Sequence, residues 1–267
     1  MISCALYTVM TFTEPLPPVV VTRPADKASE LISSVAELGF EVRHHPLIDI
    51  RRFEDDDSAA SRACRQKILD IDHYDAVIAI SQNAAEAGFS WMDAYWPQMP
   101  VGLRWYAVGP TTAAVYREYG VDMEMPVDRY DSEGVLALPS LQQVEGEKIL
   151  IWRGVGGREA LASVLRDRGA RVDYAELYER RQIEWAEADW DKTLQGAPVL
   201  LLSSGQALDI AQQQIPDIAT RVSTIIVPSE RVATYARQHG CTDVVVAASA
   251  RNEDTLHSLR ARFAAGR

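Results

Sequence analysis

VVVTRPADKASELISSVAELGFEVRHHPLI at 19–48 and ILIWRGVGGREALASVLRDRGARVDYAELY at 149–178 are one pattern written twice. Each opens with a short branched apolar run, passes an arginine and a turn, continues with apolar residues at helical spacing, stops at a glycine and resumes as a strand. In the first copy Pro24 opens the helical stretch, Leu31, Val35 and Leu38 share one buried face, and Gly39 ends it. The strand resumes at 40–43.

Two further pairs extend the repeat. DAVIAISQNAAEA at 75–87 matches APVLLLSSGQALDI at 197–210, an apolar strand ending in small polar residues before a helix. WYAVGPTTAAVYREYGV at 105–121 matches TIIVPSERVATYARQHGC at 224–241, again strand, tight turn, helix and glycine. The chain therefore runs a, b, c, a, b, c, which implies two similar lobes. Short buried strands are predicted at 76–80, 105–108, 149–152, 199–202, 224–227 and 243–247. Helices are predicted at 111–119, 158–168 and 230–238, with Gly120, Gly169 and Gly240 as their C-caps. Strand and helix in alternation specify an α/β fold, with parallel sheets covered on both faces. The polar insert at 51–62, with Glu54, Asp55, Asp56 and Asp57, reads as a solvated helix start.

Composition narrows the function classes. The 267 residues are 47% hydrophobic and 24% charged, which suits a folded chain of about two domains. A net charge of -11 argues against nucleic acid and anionic membrane as partners, because both select a basic face. A small anionic ligand needs only a local patch. Cys4, Cys64 and Cys241 are few and far apart, and the five histidines form no ligand spacing, so no disulfide framework, metal site or metal cofactor is expected. Residues 1–18 carry no basic start, no cleavage motif and a proline cluster; they read as a poorly ordered tail, with Met10 as an alternative start. No apolar run reaches membrane-spanning length. A cytoplasmic protein is expected.

Chemistry should sit where the units turn. In doubly wound sheets ligands bind beyond the carboxyl ends of the strands, facing helix N-termini. All six units place polar or glycine-rich residues there: Thr22 with Arg23; Ser81, Gln82 and Asn83; Gly109 with Thr111 and Thr112; Arg153 with Gly154; Ser203 with Ser204; and Ser229 with Arg231. Each hydroxyl alone is explained by helix capping. Six on equivalent edges suit a flexible polycarboxylate. RGVGGRE has Glu159 where a dinucleotide loop needs its last glycine, and no G-x-S-x-G surrounds the serines. Tyr178, in ELYERR, stands where the chain crosses between lobes, and its phenol is a candidate proton donor. A two-lobed, non-catalytic anion-binding protein is the alternative reading.

VTRP at 21–24, the run to Ile48, ISQNAAEA, AVGPTTAAVYREYG, RGVGGREALASVLRDRGARV, ELYER and LLSSGQAL, in this order across 19–250, resemble the uroporphyrinogen-III synthase family. The resemblance implies two Rossmann-like lobes, 19–45 plus 184–260 and 52–175, joined by a two-stranded connector at 46–51 and 176–183, with a cleft between them. It implies a cofactor-independent, monomeric cyclase of a linear tetrapyrrole. For that reaction Tyr178, by its place at the crossing, is expected to be catalytic, and Arg23, Ser81, Asn83, Gly109, Thr112, Arg153, Gly154, Ser203, Ser204 and Ser229, by their place at the turns, are expected to hold substrate. The chain departs from the family pattern at Ile80, where a threonine is frequent, and at Val232, where a hydroxyl is frequent.

Overall fold

A computed structural model describes residues 16–157 and 159–264. In chain order the first elements are β1 (Val19–Val21), α1 (Ser29–Glu37), β2 (Val42–His44), β3 (Ile48–Arg52), α2 (Ala59–Leu69), β4 (Ala76–Ala79), α3 (Gln82–Tyr95), β5 (Arg104–Ala107) and α4 (Pro110–Glu118). They are followed by α5 (Ser132–Leu136), β6 (Lys148–Gly154), α6 (Ala160–Asp167), β7 (Arg171–Gln182) and α7 (Glu187–Thr193). The last are β8 (Val199–Leu201), α8 (Gly205–Gln214), α9 (Ile218–Arg221), β9 (Thr224–Val227), α10 (Glu230–Gln238), β10 (Val244–Val246) and α11 (Asn252–Ala264). The described chain divides into two compact units, one of residues up to Asp49 with Arg181 onward, the other Ile50–Arg180.

The first unit is built on a sheet ordered β10-β9-β8-β1-β2, every neighbouring pair parallel. Its central strands are short and wholly apolar because both faces are covered: Val19, Val20 and Val21 are fully buried. Leu31 and Val35 of α1 pack on one face with Val19 and Val21, and Trp190, Leu208 and Ala211 pack on the other with Val20 and Leu200. Full burial of one such leucine stabilises by about 2 kcal/mol. Residues 16–18 join this unit: Leu16 packs on its core and Pro18 O accepts the Val199 N–H at 2.8 Å. The tail expectation therefore applies only to 1–15, which lie outside the described residues, as do Cys4 and Met10.

The second unit has a sheet ordered β3-β7-β6-β4-β5, with β4, β5, β6 and β7 mutually parallel. Trp152 of β6 is completely buried against α3, and only a glycine at 88 leaves room for it: a Cβ there would lie 2.2 Å from the indole. The insert at 51–62 differs from its expectation. β3 continues to Arg52, and α2 starts only at Ala59, capped by Ser58, whose Oγ accepts the Ser61 N–H. The intervening Asp55 accepts hydrogen bonds from Tyr95 and Arg65 across the turn, which hold its carboxyl below the usual range.

The repeat acquires a physical meaning in the two sheet orders. In both, the second strand of an a-unit is followed by its first strand, then by b, then by c: β2-β1-β8-β9 and β7-β6-β4-β5. Each sheet thus takes its a-unit from one copy and its b- and c-units from the other. Gly39, Gly120, Gly169 and Gly240 end their helices at positive φ, +64° to +89°, where an L side chain would be strained.

Candidate functional site

The order β7-β6-β4-β5 contains a reversal. From β4 the chain crosses to β5 on one side, and from β6 it crosses to β7 on the other, so the carboxyl ends of β4 and β6 open a crevice between their helices. Three of the residues expected to act lie at that reversal. Ser81 follows β4 and is the N-cap of α3, its Oγ accepting the Ala84 N–H at 3.1 Å. Gly154 ends β6.

Tyr178 arrives from the neighbouring strand through a bulge. The β6–β7 register pairs Arg153 with Glu176 and then Gly154 with Tyr178, skipping one residue, and the extra residue re-aims the tyrosine. The phenol oxygen lies 3.2 Å from Ser81 Oγ, and the ring rests on the bare backbone of Gly154. Its carbonyl accepts the Val155 N–H at 2.8 Å, so the strand and the loop after β6 are tied together. Tyr178 is only 3% exposed. Asn83, the second residue of α3, keeps its Oδ1 enclosed with no hydrogen-bond partner among the described residues.

Two expected substrate ligands of this unit are buried. Arg153 is 7% exposed, and its guanidinium is already committed: Nε and Nη2 donate to Glu176 Oε1 at 3.2 and 2.9 Å, and Nη1 donates to Glu159 Oε1 at 2.8 Å and to Gly157 O at 3.1 Å. It stacks on Tyr174, 3.6 Å from the ring centroid. Two carboxylates compensate its single charge, so four of its five N–H donors tie Gly157, Glu159 and Glu176 together. Glu159, which breaks the dinucleotide pattern, is one of those partners. Thr112 is 1% exposed because it faces the core side of α4; the hydroxyl on the solvent side of that turn belongs to Thr111. Gly109 is the N-cap of α4, with the Tyr130 side chain over it at 2.9 Å from a hypothetical Cβ.

A pocket of about 460 Å³ beside β7 is lined by Cys64, Lys67, Arg153, Tyr174 and Glu176. The Cys64 thiol donates to Glu176 O at 2.9 Å, and burial, with the Glu176 charge, pushes it up to about 11.

In the first unit the reversal falls between β1 and β8. Thr22 is buried there and donates to Leu201 O at 2.7 Å, a lock between the two strands. Ser204 caps α8 through the Ala207 N–H at 3.1 Å. Ser229 is the N-cap of α10 but makes no side-chain cap bond, and its hydroxyl and that of the half-buried Ser203 have no partner among the described residues. Arg23 reaches the Ala250 carbonyl, an uncharged partner, so its charge is uncompensated at bonding distance. Arg231 is uncompensated too. It is exposed, makes no ion pair among the described residues, and places Nη2 3.8 Å from a Cβ built on Gly205, at the start of α8. Sequence reading placed Arg231 at this turn without naming it as a ligand; the signal was its position two residues after Ser229.

Among the described residues no helix is long and apolar enough to cross a membrane. Residues 29–257 match the family model described as uroporphyrinogen-III synthase HemD. The chain is 32% identical over 249 residues to the uroporphyrinogen-III synthase of Salmonella typhimurium strain LT2, covering 91% of this chain and 99% of that protein. It is 32% identical over 252 residues to the Escherichia coli K12 uroporphyrinogen-III synthase, with the same coverage. Among solved structures, a mutant uroporphyrinogen III synthase from the extremely thermophilic bacterium Thermus thermophilus superposes with a TM-score of 0.62 at 14% identity, covering 93% of this chain and 99% of that one. The Helicobacter pylori 26695 uroporphyrinogen-III synthetase gives 0.57 at 14% identity, covering 93% and 100%. At that identity the structures speak for the α/β fold with two parallel-dominated sheets. The match to the family model and the two bacterial relatives carries the family itself: the chain belongs to the uroporphyrinogen-III synthase family.

Proposed function

We propose that the chain closes hydroxymethylbilane to uroporphyrinogen III, and that the Tyr178 phenol assists departure of the terminal hydroxyl. The observation that carries the reaction is the family match across 29–257. In this family's reaction, loss of water gives an azafulvene, attack at the substituted carbon of the last ring gives a spiro intermediate, and reopening and reclosure invert that ring. The unassisted reaction closes without inversion, so the protein must control geometry more than supply strong acid or base. A phenol held in a nearly closed setting suits this chemistry, because a reactive azafulvene must be kept from bulk water.

The substrate carries acetate and propionate arms on every ring. In this reading Arg23 and Arg231 supply the charge for them, Ser203, Ser204, Ser229, Asn83 and Thr111 supply polar contacts, and amides at the starts of α4 and α8 supply donors, the first of these helices capped by Gly109. Local donors are needed because the net charge of -11 opposes long-range attraction of a polyanion. The reading further takes the protein as a cytoplasmic monomer. In it the two lobes are 19–45 plus 184–260 and 52–175, with connectors at 46–51 and 176–183.

The test is incubation with enzymatically generated hydroxymethylbilane, then oxidation and chromatographic separation of the type III and type I isomers. Type III product is expected; type I alone would overturn the reading. Tyr178→Phe should lower turnover by roughly tenfold or more, the general-acid range, and unchanged turnover would remove Tyr178 from the chemistry.

A further inference from the structure

We infer that Ser81 is a positioning residue for Tyr178, relaying the amide donors at the start of α3 to the phenol oxygen, and is not itself a ligand of the substrate's carboxylates. The inference rests on the reading of Tyr178 as the proton donor and assigns the residue that makes it one.

Three facts fix the geometry. Ser81 Oγ accepts the Ala84 N–H at 3.1 Å, so one of its acceptor positions is committed to the helix. The same oxygen is 3.2 Å from Tyr178 Oη. Gly154 leaves room for the ring, since a Cβ there would lie 2.6 Å from Cζ and 3.1 Å from Oη. The phenol is therefore held against the first turn of a 14-residue helix, whose unpaired amides carry a partial positive charge.

The direction of the Ser81–Tyr178 bond follows from the chemistry. To protonate a departing hydroxyl, Tyr178 must point its own proton at the substrate, which leaves only its lone pairs for Ser81. Ser81 then donates O–H to Tyr178 Oη while accepting N–H from Ala84. As the C–O bond of the substrate breaks, its electron pair leaves with oxygen, the Tyr178 proton completes the water, and the pyrrole carries the positive charge. The negative charge left on the phenolate oxygen is the charge that Ser81 stabilises, and chained hydrogen bonds strengthen as it grows. A serine that bridged a carboxylate instead would turn its only proton away from Tyr178.

The inference is tested with the full chain and hydroxymethylbilane. Ser81→Ala is expected to lower kcat by roughly five- to tenfold, the worth of one hydrogen bond, with KM little changed; Ser81→Thr should restore it. Ser81→Asp keeps an acceptor for the Ala84 N–H and so protects the helix cap, but has no hydroxyl proton, and is expected to lose kcat like alanine while remaining folded. A readout independent of turnover is the 13Cζ resonance of Tyr178 in tyrosine-labelled protein, identified by its loss in Tyr178→Phe. That resonance should move in Ser81→Ala and Ser81→Asp and return in Ser81→Thr. A raised KM with unchanged kcat in Ser81→Ala would make Ser81 a substrate ligand and overturn the inference. So would an unmoved Tyr178 resonance. If Tyr178→Phe is itself fully active, the proton-donor reading fails and the relay falls with it; if Tyr178→Phe is impaired and Ser81→Ala is not, only the relay fails.

Discussion

Gly154 and Tyr178 are fitted so closely that a methyl group on residue 154 would stand 2.6 Å from the phenol's Cζ. Neither can change alone: the ring is 3% exposed and its backbone is held to the adjoining Val155. Gly154→Ala should therefore push the ring off Ser81, costing about 1–3 kcal/mol of stability for the overpacking and at least as much turnover as Tyr178→Phe. Paired measurement of thermal midpoint and turnover checks this. An alanine variant with normal turnover would show that the ring's position against Ser81 is immaterial.

Much of the fold was legible because buried parallel strands leave strong marks. Val19–Val21 and Val199–Leu201 are short apolar runs between turn signals, and the glycines at 39, 120, 169 and 240 end helices by backbone conformation. The insert at 51–62 was less legible because its acidic residues resemble a helix start, whereas Asp55 is held by Arg65 ten residues on and by Tyr95 forty residues on. In the site, Ser81 and Tyr178 could be named but not joined. Their contact depends on a skipped residue in the β6–β7 register, which leaves no trace in composition or spacing. Arg153 and Arg23 occupy equivalent places in the repeat, and only the structure separates the compensated cation from the uncompensated one.

That distinction predicts opposite behaviour at Arg153 and in the first unit. Arg153 binds Glu159, Glu176 and the Gly157 carbonyl from a buried position. Arg153→Met should cost about 2 kcal/mol, less than the loss of a fully buried ion pair because both glutamates can regain water. KM should change little in whatever folded protein remains, since the guanidinium's charge is already met by two carboxylates. Urea midpoints beside Michaelis curves decide it. A large KM effect at normal stability would return Arg153 to the list of ligands.

Arg231 should behave in the reverse way. It is exposed and makes no ion pair among the described residues, so Arg231→Ala should leave stability within about 0.5 kcal/mol of the parent. If it holds a carboxylate of the substrate, the loss of one charge-assisted bond should raise KM by roughly tenfold or more. Rising salt should narrow the gap between variant and parent, because the lost contact is electrostatic. Equal KM values for the two proteins at low salt would exclude Arg231 from the substrate.

His45 supplies a pH dependence of stability whose sign can be fixed. Its ring lies between Trp185 and Trp190, both centroids at 4.0 Å, with Nδ1 3.0 Å from Thr193 Oγ1 and Nε2 enclosed without a partner among the described residues. Burial holds the imidazole down at about 4, against an opposing pull from Asp189 and a smaller lowering by His44. The unfolded chain, near 6.5, binds the proton first as the solution is acidified. The stability that the neutral ring contributes is thus fully present above pH 6.5, declines between 6.5 and 4, and is lost below that, to an extent of order 2 kcal/mol. Lowered carboxyls such as that of Asp56, at about 2, act below this window and do not obscure it. His45→Phe keeps a ring between the tryptophans and removes the titration, so its urea midpoint should change less between pH 7 and pH 5 than that of the parent. Parallel curves for the two proteins over that interval would mean that His45 takes up its proton in the folded protein as readily as in the unfolded chain, contrary to its enclosure.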